Sequence, residues 1–405
     1  MKESLKPKIW FVTELFYPDQ TSTAFILKEI SDFLKSSRTI EVICGPANYQ
    51  QEKYTKKKSN QNNVKITRVK SLNLNKNNLF LRSIRLILLS LALTIKYLRK
   101  SSKVDKVLIV TNPAPLLLIF ALISKLLNRK ITLLAHDVFP ENTIPSHIIT
   151  NSNSYTYKLL KKIFDFAYSQ FETIIVLGRD MKRVIQDKVI LNVKPDNKIE
   201  IIENWADTNE IFPLELCDLS FEKWGISNKF IFLFAGNIGR SQALEEFFSI
   251  ISKVSNSFVH FVFIGDGALK NKLIQYKKIN KLENTTIGDS FLRSEQNVIL
   301  NSCHAGIVSL AKGMEGLGVP SKSYNILSAG KPILYFGDDN SEISLLVKEN
   351  KVGWSFNSFS NLLKFFNQID QSNIDSSRKM GLKCRKLAET QYSKSVILNK
   401  YQDVL

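Results

Sequence analysis

Phe230–Ile251 reads FIFLFAGNIGRSQALEEFFSII. The opening run, Phe230 to Phe234, has no polar alternation, so a strand made from it must be covered on both faces, as in a parallel sheet. The strand ends at Ala235. A glycine-rich turn follows, in which Gly236 and Gly239 let the backbone approach a ligand beside Asn237 and Arg240. Leu244, Phe247, Phe248 and Ile251 then recur at helical spacing. Such a turn lies at the carboxyl end of its strand, where open α/β sheets bind ligands. The N–H groups of a helix start and the Arg240 cation together form a cradle for an anion such as a diphosphate. An ordinary βα turn with a surface arginine is the other reading.

Two more units of this kind follow. FVHFVFIG runs into GDG, so Gly265 and Gly267 also stand at a strand's carboxyl end, where GDG alone is often just a turn. Next, AGIVSL is a strand, AKGMEGLGV a loop and PSKSYNILSAG a short helix, with Pro320 suited to its first turn and Gly330 to its stop. Glu315 lies in the loop, and the N–H groups of Gly316, Leu317, Gly318 and Val319 offer donors. Lys322 falls on the first helical turn, where the helix dipole disfavours a cation unless an anion is bound there. Taken singly, Glu315 is a surface loop residue. In sequence with the other two turns, it belongs to the third of three consecutive candidate ligand loops.

Further continuous apolar runs, KIWFVT, IEVIC, VLIVT, ITLLA, TIIVL, KIEII and PILYF, alternate with helical stretches. This pattern predicts an α/β chain of two Rossmann-like, doubly wound domains facing across a cleft. The expected boundaries are 1–207 and 208–388, with a mixed linker at about 208–228 and a C-terminal helix, about 389–405, packing back onto the first domain. A length of 405 residues fits two cores better than one.

Composition narrows the function classes. The four cysteines are widely spaced and the four histidines show no metal-ligand spacing, which points to a reducing compartment without structural zinc. The formal charge is +19, and residues 51–104 hold fourteen Lys/Arg against one acid, Glu52. That run is either a solvated face or a surface for anionic lipid. Nucleic acid fits less well, because the run lacks interleaved aromatics and a recognised module. Leu86–Ile95 is uncharged but too short to span a bilayer, and TNPAP divides the apolar stretch from Val107 to Ser124. Arg82, Arg85, Lys96, Arg99 and Lys100 bracket LILLSLALTI, which suits either a helix lying in a membrane interface or a core helix with basic ends.

In this order, GNIGRSQALE, FIGDGALKNKL and EGLGVPSKSYNILSAGKPIL resemble the donor-binding half of GT-B glycosyltransferases of family 4. FVTELFYPDQTSTAFILKEISDFL, AHDVFPEN and ENWAD resemble the branch of that family with bacterial exopolysaccharide and O-antigen enzymes, such as colanic-acid and N-acetylfucosamine transferases. The resemblance implies that Glu315 contacts the donor sugar and Arg240 the diphosphate. It implies that the N–H groups of Leu317, Gly318 and Val319 bind phosphate and sugar oxygens. His136, at the end of ITLLAHD, matches a histidine near the reacting face of the sugar. Asn204 and Asp207 match a junction motif of structural character.

Two departures stand out. The family's second glutamate, eight positions after the first, is here Ser323. Aligning on ILSAG instead places Asn325 at the ribose position, without a charge. The N-terminal loop has Thr21, Ser22 and Thr23 where the family often has a double glycine, and these face the acceptor or a phosphate. The resemblance further implies a cytoplasmic enzyme, peripheral on the inner face of the plasma membrane. It would move a sugar, with retention, from a nucleotide-diphosphate donor, uracil by family habit, to a saccharide on polyprenyl diphosphate. No Asp-x-Asp occurs, so no metal and no cofactor beyond the nucleotide sugar are expected. A nucleotide-sugar epimerase of the same build, or a catalytically inactive sugar-binding partner, are the alternatives.

Overall fold

The computed structural model describes residues 8–19, 21–47, 64–72, 79–190, 198–214 and 226–405. Parts of the basic stretch (51–63 and 73–78), most of the expected linker (215–225) and Cys217 lie outside the described residues. The chain divides into two compact units. Met1–Thr143, Ile149–Ile202 and Leu398–Leu405 form the first, and Ile144–Ile148 with Glu203–Ile397 the second.

The first unit is built on seven parallel strands in the order β3-β2-β1-β4-β5-β6-β7. These are β1 (Ile9–Thr13), β2 (Ile40–Cys44), β3 (Lys65–Arg68), β4 (Lys106–Val110), β5 (Ile131–Ala135), β6 (Thr173–Val176) and β7 (Lys198–Ile201). β1, β2 and β5 are buried along their whole length, as their largely apolar runs require, and the one charge among them, Glu41 on β2, accepts from Lys8 Nζ at 2.6 Å. Helix α1 (Ser22–Leu34) connects β1 to β2. Then α2 (Leu79–Lys100), α3 (Ala114–Leu127), α4 (Tyr155–Tyr168) and α5 (Arg179–Val189) follow. Right-handed crossovers toward β7 place α2 to α5 in one layer, in which α3 packs between α2 and α4. Leu89, Leu93 and Tyr97 are the buried face of α2. Arg85, expected among the cations bracketing the apolar core, instead donates to Glu14 Oε1 at 3.0 Å and is largely buried. No helix among the described residues is long and apolar enough to cross a membrane.

The second unit carries six parallel strands in the order β10-β9-β8-β11-β12-β13. They are β8 (Phe230–Ala235), β9 (Val259–Ile264), β10 (Thr285–Gly288), β11 (Ala305–Ser309), β12 (Ile333–Phe336) and β13 (Gly353–Phe356). Alternation along β8 sends Phe230, Phe232 and Phe234 into one core and Ile231 and Leu233 into another, so both faces are covered. The first core is rich in phenylalanine. Phe366, from α11, meets Phe232 and Phe261 edge-on, at 5.2 and 4.8 Å between ring centroids. The helices of this unit are α6 (Leu244–Ile251), α7 (Lys270–Ile279), α8 (Gln296–Asn301), α9 (Lys322–Ser328), α10 (Glu342–Asn350), α11 (Phe359–Asn367) and α12 (Ser372–Thr390). A last helix, α13 (Lys394–Val404), carries the chain into residues of the first unit, where Lys106 Nζ donates to the Leu405 carbonyl at 2.8 Å.

Candidate active site

The three glycine loops of the second unit are locked together by backbone. Gly236 N–H donates to the Ile264 carbonyl at 2.9 Å, and Ile238 N–H to the Asp266 carbonyl at 2.8 Å. Gly265 has φ +154°, and a Cβ there would lie 1.8 Å from the Gly236 carbonyl oxygen. Only glycine allows that approach. Ala311 N–H donates to the Ser241 carbonyl at 2.9 Å, which ties the β11 loop to the β8 loop. Ser309 Oγ donates to the Gln242 carbonyl at 2.5 Å from the end of β11.

Lys322 joins the loops by its side chain. Its ammonium lies 3.5 Å from the Phe234 ring centroid and donates to Gln242 Oε1 at 3.0 Å. A Cβ on Gly236 would stand 3.8 Å from Lys322 Nζ, so this cation sits directly beside the first glycine of GNIGR. Burial lowers the Lys322 pKa to about 7. Helix α9 begins at Lys322 rather than at Pro320, because Pro320 and Ser321 form the turn that leads into it. Asn325 is one turn further along, on the same face as Lys322. Gly330 closes the helix at φ +65°.

Glu315 is half-buried, with Gly316 next to it at φ +72°. One expected donor is already engaged. The Leu317 N–H closes a turn onto the Met314 carbonyl at 3.1 Å, and its side chain is buried. Gly318 and Val319 are half-buried; Gly239 is buried; Asn237 and Arg240 are exposed beside it. A Cβ on Gly239 would come 2.8 Å from Asn237 Nδ2, so the Asn237 side chain folds back over its own turn.

In the first unit a second group gathers after β5. His136 and Asp137 both donate their N–H to Thr111 Oγ1 at 3.2 Å, and Asn112 Nδ2 donates to Asp137 Oδ2 at 2.8 Å. Thr23 Oγ1 lies 3.4 Å from His136 Nδ1. His136 Nε2 is buried and meets no hydrogen-bond partner among the described residues. Burial lowers the His136 pKa to about 4, so the ring is neutral near pH 7, and burial raises that of Asp137. Thr21, expected on the acceptor side, is instead the N-cap of α1, accepting the Ala24 N–H at 3.3 Å. Ser22 is exposed at the first position of that helix.

The histidine burial has a measurable consequence. His136 has a folded pKa near 4 against an ordinary 6.5, so between those values the folded state binds fewer protons than the unfolded one. Its contribution to stability is complete above 6.5 and is lost as pH falls toward 4. His136→Gln should therefore lose less stability than wild type between pH 7 and 5 in urea titrations. Parallel losses in the two proteins would contradict the burial of the ring.

No protein-family model matches the sequence. A relative described as "Probable glycosyltransferase WbjE", from Pseudomonas aeruginosa, is 34% identical over 332 residues, which cover 81% of this chain and 80% of WbjE. The chain belongs to the WbjE-like glycosyltransferases. Solved structures share its architecture end to end. Anabaena HepE in complex with UDP superposes with a TM-score of 0.70 at 13% identity, covering 98% of this chain and 99% of HepE. WaaG, a glycosyltransferase involved in lipopolysaccharide biosynthesis, gives 0.68 at 11% identity, covering 98% and 99%. The two sheets of seven and six parallel strands are thus the two Rossmann-like domains of the GT-B fold. The epimerase alternative finds no support in these relatives.

In this glycosyltransferase, the structure brings together the expected Gly236, Gly265 and Lys322 and sets the expected Thr23 beside His136. The sequence did not mark Gln242, Ser309, Thr111 or Asn112. Thr111 and Asn112 lie in TNPAP, at a strand's carboxyl end. The junction stretch ENWAD serves the backbone. Asp207 accepts the N–H groups of Asn209 and Glu210 and lies 3.4 Å from Lys394 Nζ, and Ala206 bridges to Ser393.

Proposed function

We propose that this family 4 type glycosyltransferase transfers a sugar, with retention and without a metal, from a nucleotide-diphosphate donor to a lipid-linked saccharide in bacterial surface-polysaccharide synthesis. The observation that carries the donor half is the joining of three βα loops at the carboxyl ends of β8, β9 and β11, with the Lys322 ammonium beside Gly236 and on Gln242. A uridine donor is the preferred base, in line with HepE, whose structures hold UDP and UDP-glucose.

In the proposed reaction the bond between the anomeric carbon and the diphosphate oxygen breaks, and its electron pair leaves with the nucleoside diphosphate. The acceptor hydroxyl oxygen forms the new bond to the same face, and its proton passes to the departing phosphate. Lys322 and Arg240 stabilise the charge that develops on that phosphate, already in place before the bond breaks. Glu315 faces the positive charge that develops on the sugar ring, and Asn325 takes the ribose hydroxyls. The neutral His136, its Nδ1 beside the Thr23 hydroxyl, offers Nε2–H to a sugar oxygen.

The state of Lys322 makes this reading testable by pH. A bound diphosphate favours the ammonium, so above pH 7 binding takes up a proton. Affinity for UDP should fall by about tenfold per pH unit above 7 and flatten below it. Lys322→Met should remove the slope; an unchanged slope in that variant would assign the proton elsewhere. The function itself is tested by incubating the protein with a panel of nucleotide sugars and following released nucleoside diphosphate and new glycoside. Release and transfer with one donor support it. An epimerised donor, or no turnover with any donor, would replace it with one of the alternative activities.

A further inference from the structure

The second unit holds a cavity of about 730 Å³ at the end of its sheet opposite the glycine loops. Cys303 and His304, just before β11, and Lys331, just before β12, place it at the amino ends of those strands. Helix α12 forms another wall and meets the stop of α9 backbone to backbone: a Cβ on Gly381 would lie 2.3 Å from the Gly330 carbonyl oxygen. Arg385 ties that wall down. Its guanidinium donates to the Ile211, Ser328 and Thr208 carbonyls at 2.9, 3.0 and 3.0 Å and to Glu389 Oε1 at 2.6 Å. Glu389 is the one acid among the described residues that line the cavity, and Arg385 already holds it.

Two polar groups in the lining are left over. Lys331 is 9% exposed, and its ammonium makes no hydrogen bond or ion pair among the described residues. Ser377 is 4% exposed, and its Oγ is buried without a hydrogen-bond partner. Burial lowers the Lys331 pKa, as expected for an ammonium that no acid compensates. A buried cation in this state costs free energy that a bound anion would offset. Arg378 and Lys386, both exposed, bring two further cations to the lining, so an anion of more than one charge fits better than a carboxylate. The cavity is larger than a phosphate ion and lies within the size range of small-molecule sites. Ile374 and Leu382 add apolar surface for a body attached to the anion.

We propose that this cavity is a second ligand site of the enzyme, which takes a phosphate group, free or on a small phosphate monoester, on the Lys331 ammonium and the Ser377 hydroxyl. It shares no residue with the donor loops, and nothing in it depends on the identity of the donor.

Calorimetric titration of sodium phosphate, glucose 6-phosphate and glucose into the full chain, with UDP in excess to occupy the donor loops, tests the proposal. Phosphate and glucose 6-phosphate should bind, and glucose should not. Tighter binding of glucose 6-phosphate would support the site as one for an ester; equal or tighter binding of phosphate would support it as one for the free ion. Lys331→Met should weaken binding by about tenfold or more, and Ser377→Ala by about fivefold. Methionine keeps an unbranched chain and removes the unpaired charge, so an unchanged or raised melting temperature will show that this variant folds. The exposed pair Arg378→Gln/Lys386→Gln should weaken binding by about fivefold, which keeps the proposal open to refutation should Lys331→Met fail to fold. Lys331 and Ser377 lie outside the donor loops, so their effects identify this site whether or not UDP binds. No binding of either phosphate, equal binding of glucose, or wild-type affinity in the folded variants would overturn the proposal.

Discussion

A Glu315→Gln variant is expected to keep the wild-type melting temperature and lose sugar transfer by about a hundredfold. The loop that carries Glu315 is held by backbone contacts: Ala311 N–H on the Ser241 carbonyl, Gly313 N–H on Asp338 Oδ2 at 2.9 Å, and Leu317 N–H on the Met314 carbonyl. Glutamine keeps the volume, leaves those backbone contacts in place and removes the charge. If the carboxylate faces the positive charge developing on the sugar, its loss acts on the transition state and therefore on kcat more than on KM. Transfer at the wild-type rate would show that the sugar is stabilised by another group.

The second large effect is structural. Gly265→Ala should cost roughly 3 kcal/mol or more, enough to unfold a large fraction of the second domain. At φ +154° the new Cβ would lie 1.8 Å from the Gly236 carbonyl oxygen and 2.9 Å from its carbon, a backbone that cannot give way without separating the first two glycine loops. Gly313→Ala is the control. Its φ is also positive, +83°, but no atom lies within 4 Å of the built Cβ, so a cost of about 1 kcal/mol from backbone strain alone is expected. Urea titrations of the two variants should separate by a clear difference in midpoint. Similar midpoints would mean that the close approach of the loops contributes little to stability.

The central strands were legible because burial on both faces leaves a largely apolar run without polar alternation. FIFLFA, ITLLA and IEVIC could be read directly, and each is a strand over the expected residues. The three strands that could not be read, Lys65–Arg68, Thr285–Gly288 and Gly353–Phe356, all stand at sheet edges. An edge strand has one neighbour and partial cover, so KITR, TTIG and GWSF carry too little apolar signal to stand out from loops. The same logic applies to α2. Its sequence is apolar almost all round, which fits a buried helix and an interfacial one equally, and only the structure separates the Leu89–Leu93–Tyr97 face from an exposed one.

The candidate site was legible where glycine marks it. Gly236 and Gly265 stand in turns whose spacing after a strand can be read without coordinates, and they do meet. What sequence could not supply is which side chains cross between loops. Gln242 receives the Lys322 ammonium across 80 positions, and Thr111 fixes the backbone of His136 across 25. Neither residue type has a spacing that announces the contact. Thr21, read from sequence only as an acceptor-side hydroxyl, caps α1 in the structure, its Oγ1 accepting the Ala24 N–H at 3.3 Å.

The account rests on a nucleoside-diphosphate site formed by the three loops of the second domain, and calorimetric titration of UDP into wild type, Arg240→Ala and Lys322→Met tests it most directly. Saturable binding by wild type, weakened by about tenfold or more in each variant, is the predicted result. If wild type binds neither UDP nor any other nucleoside diphosphate, or if both variants bind with wild-type affinity, the loops are not the donor site.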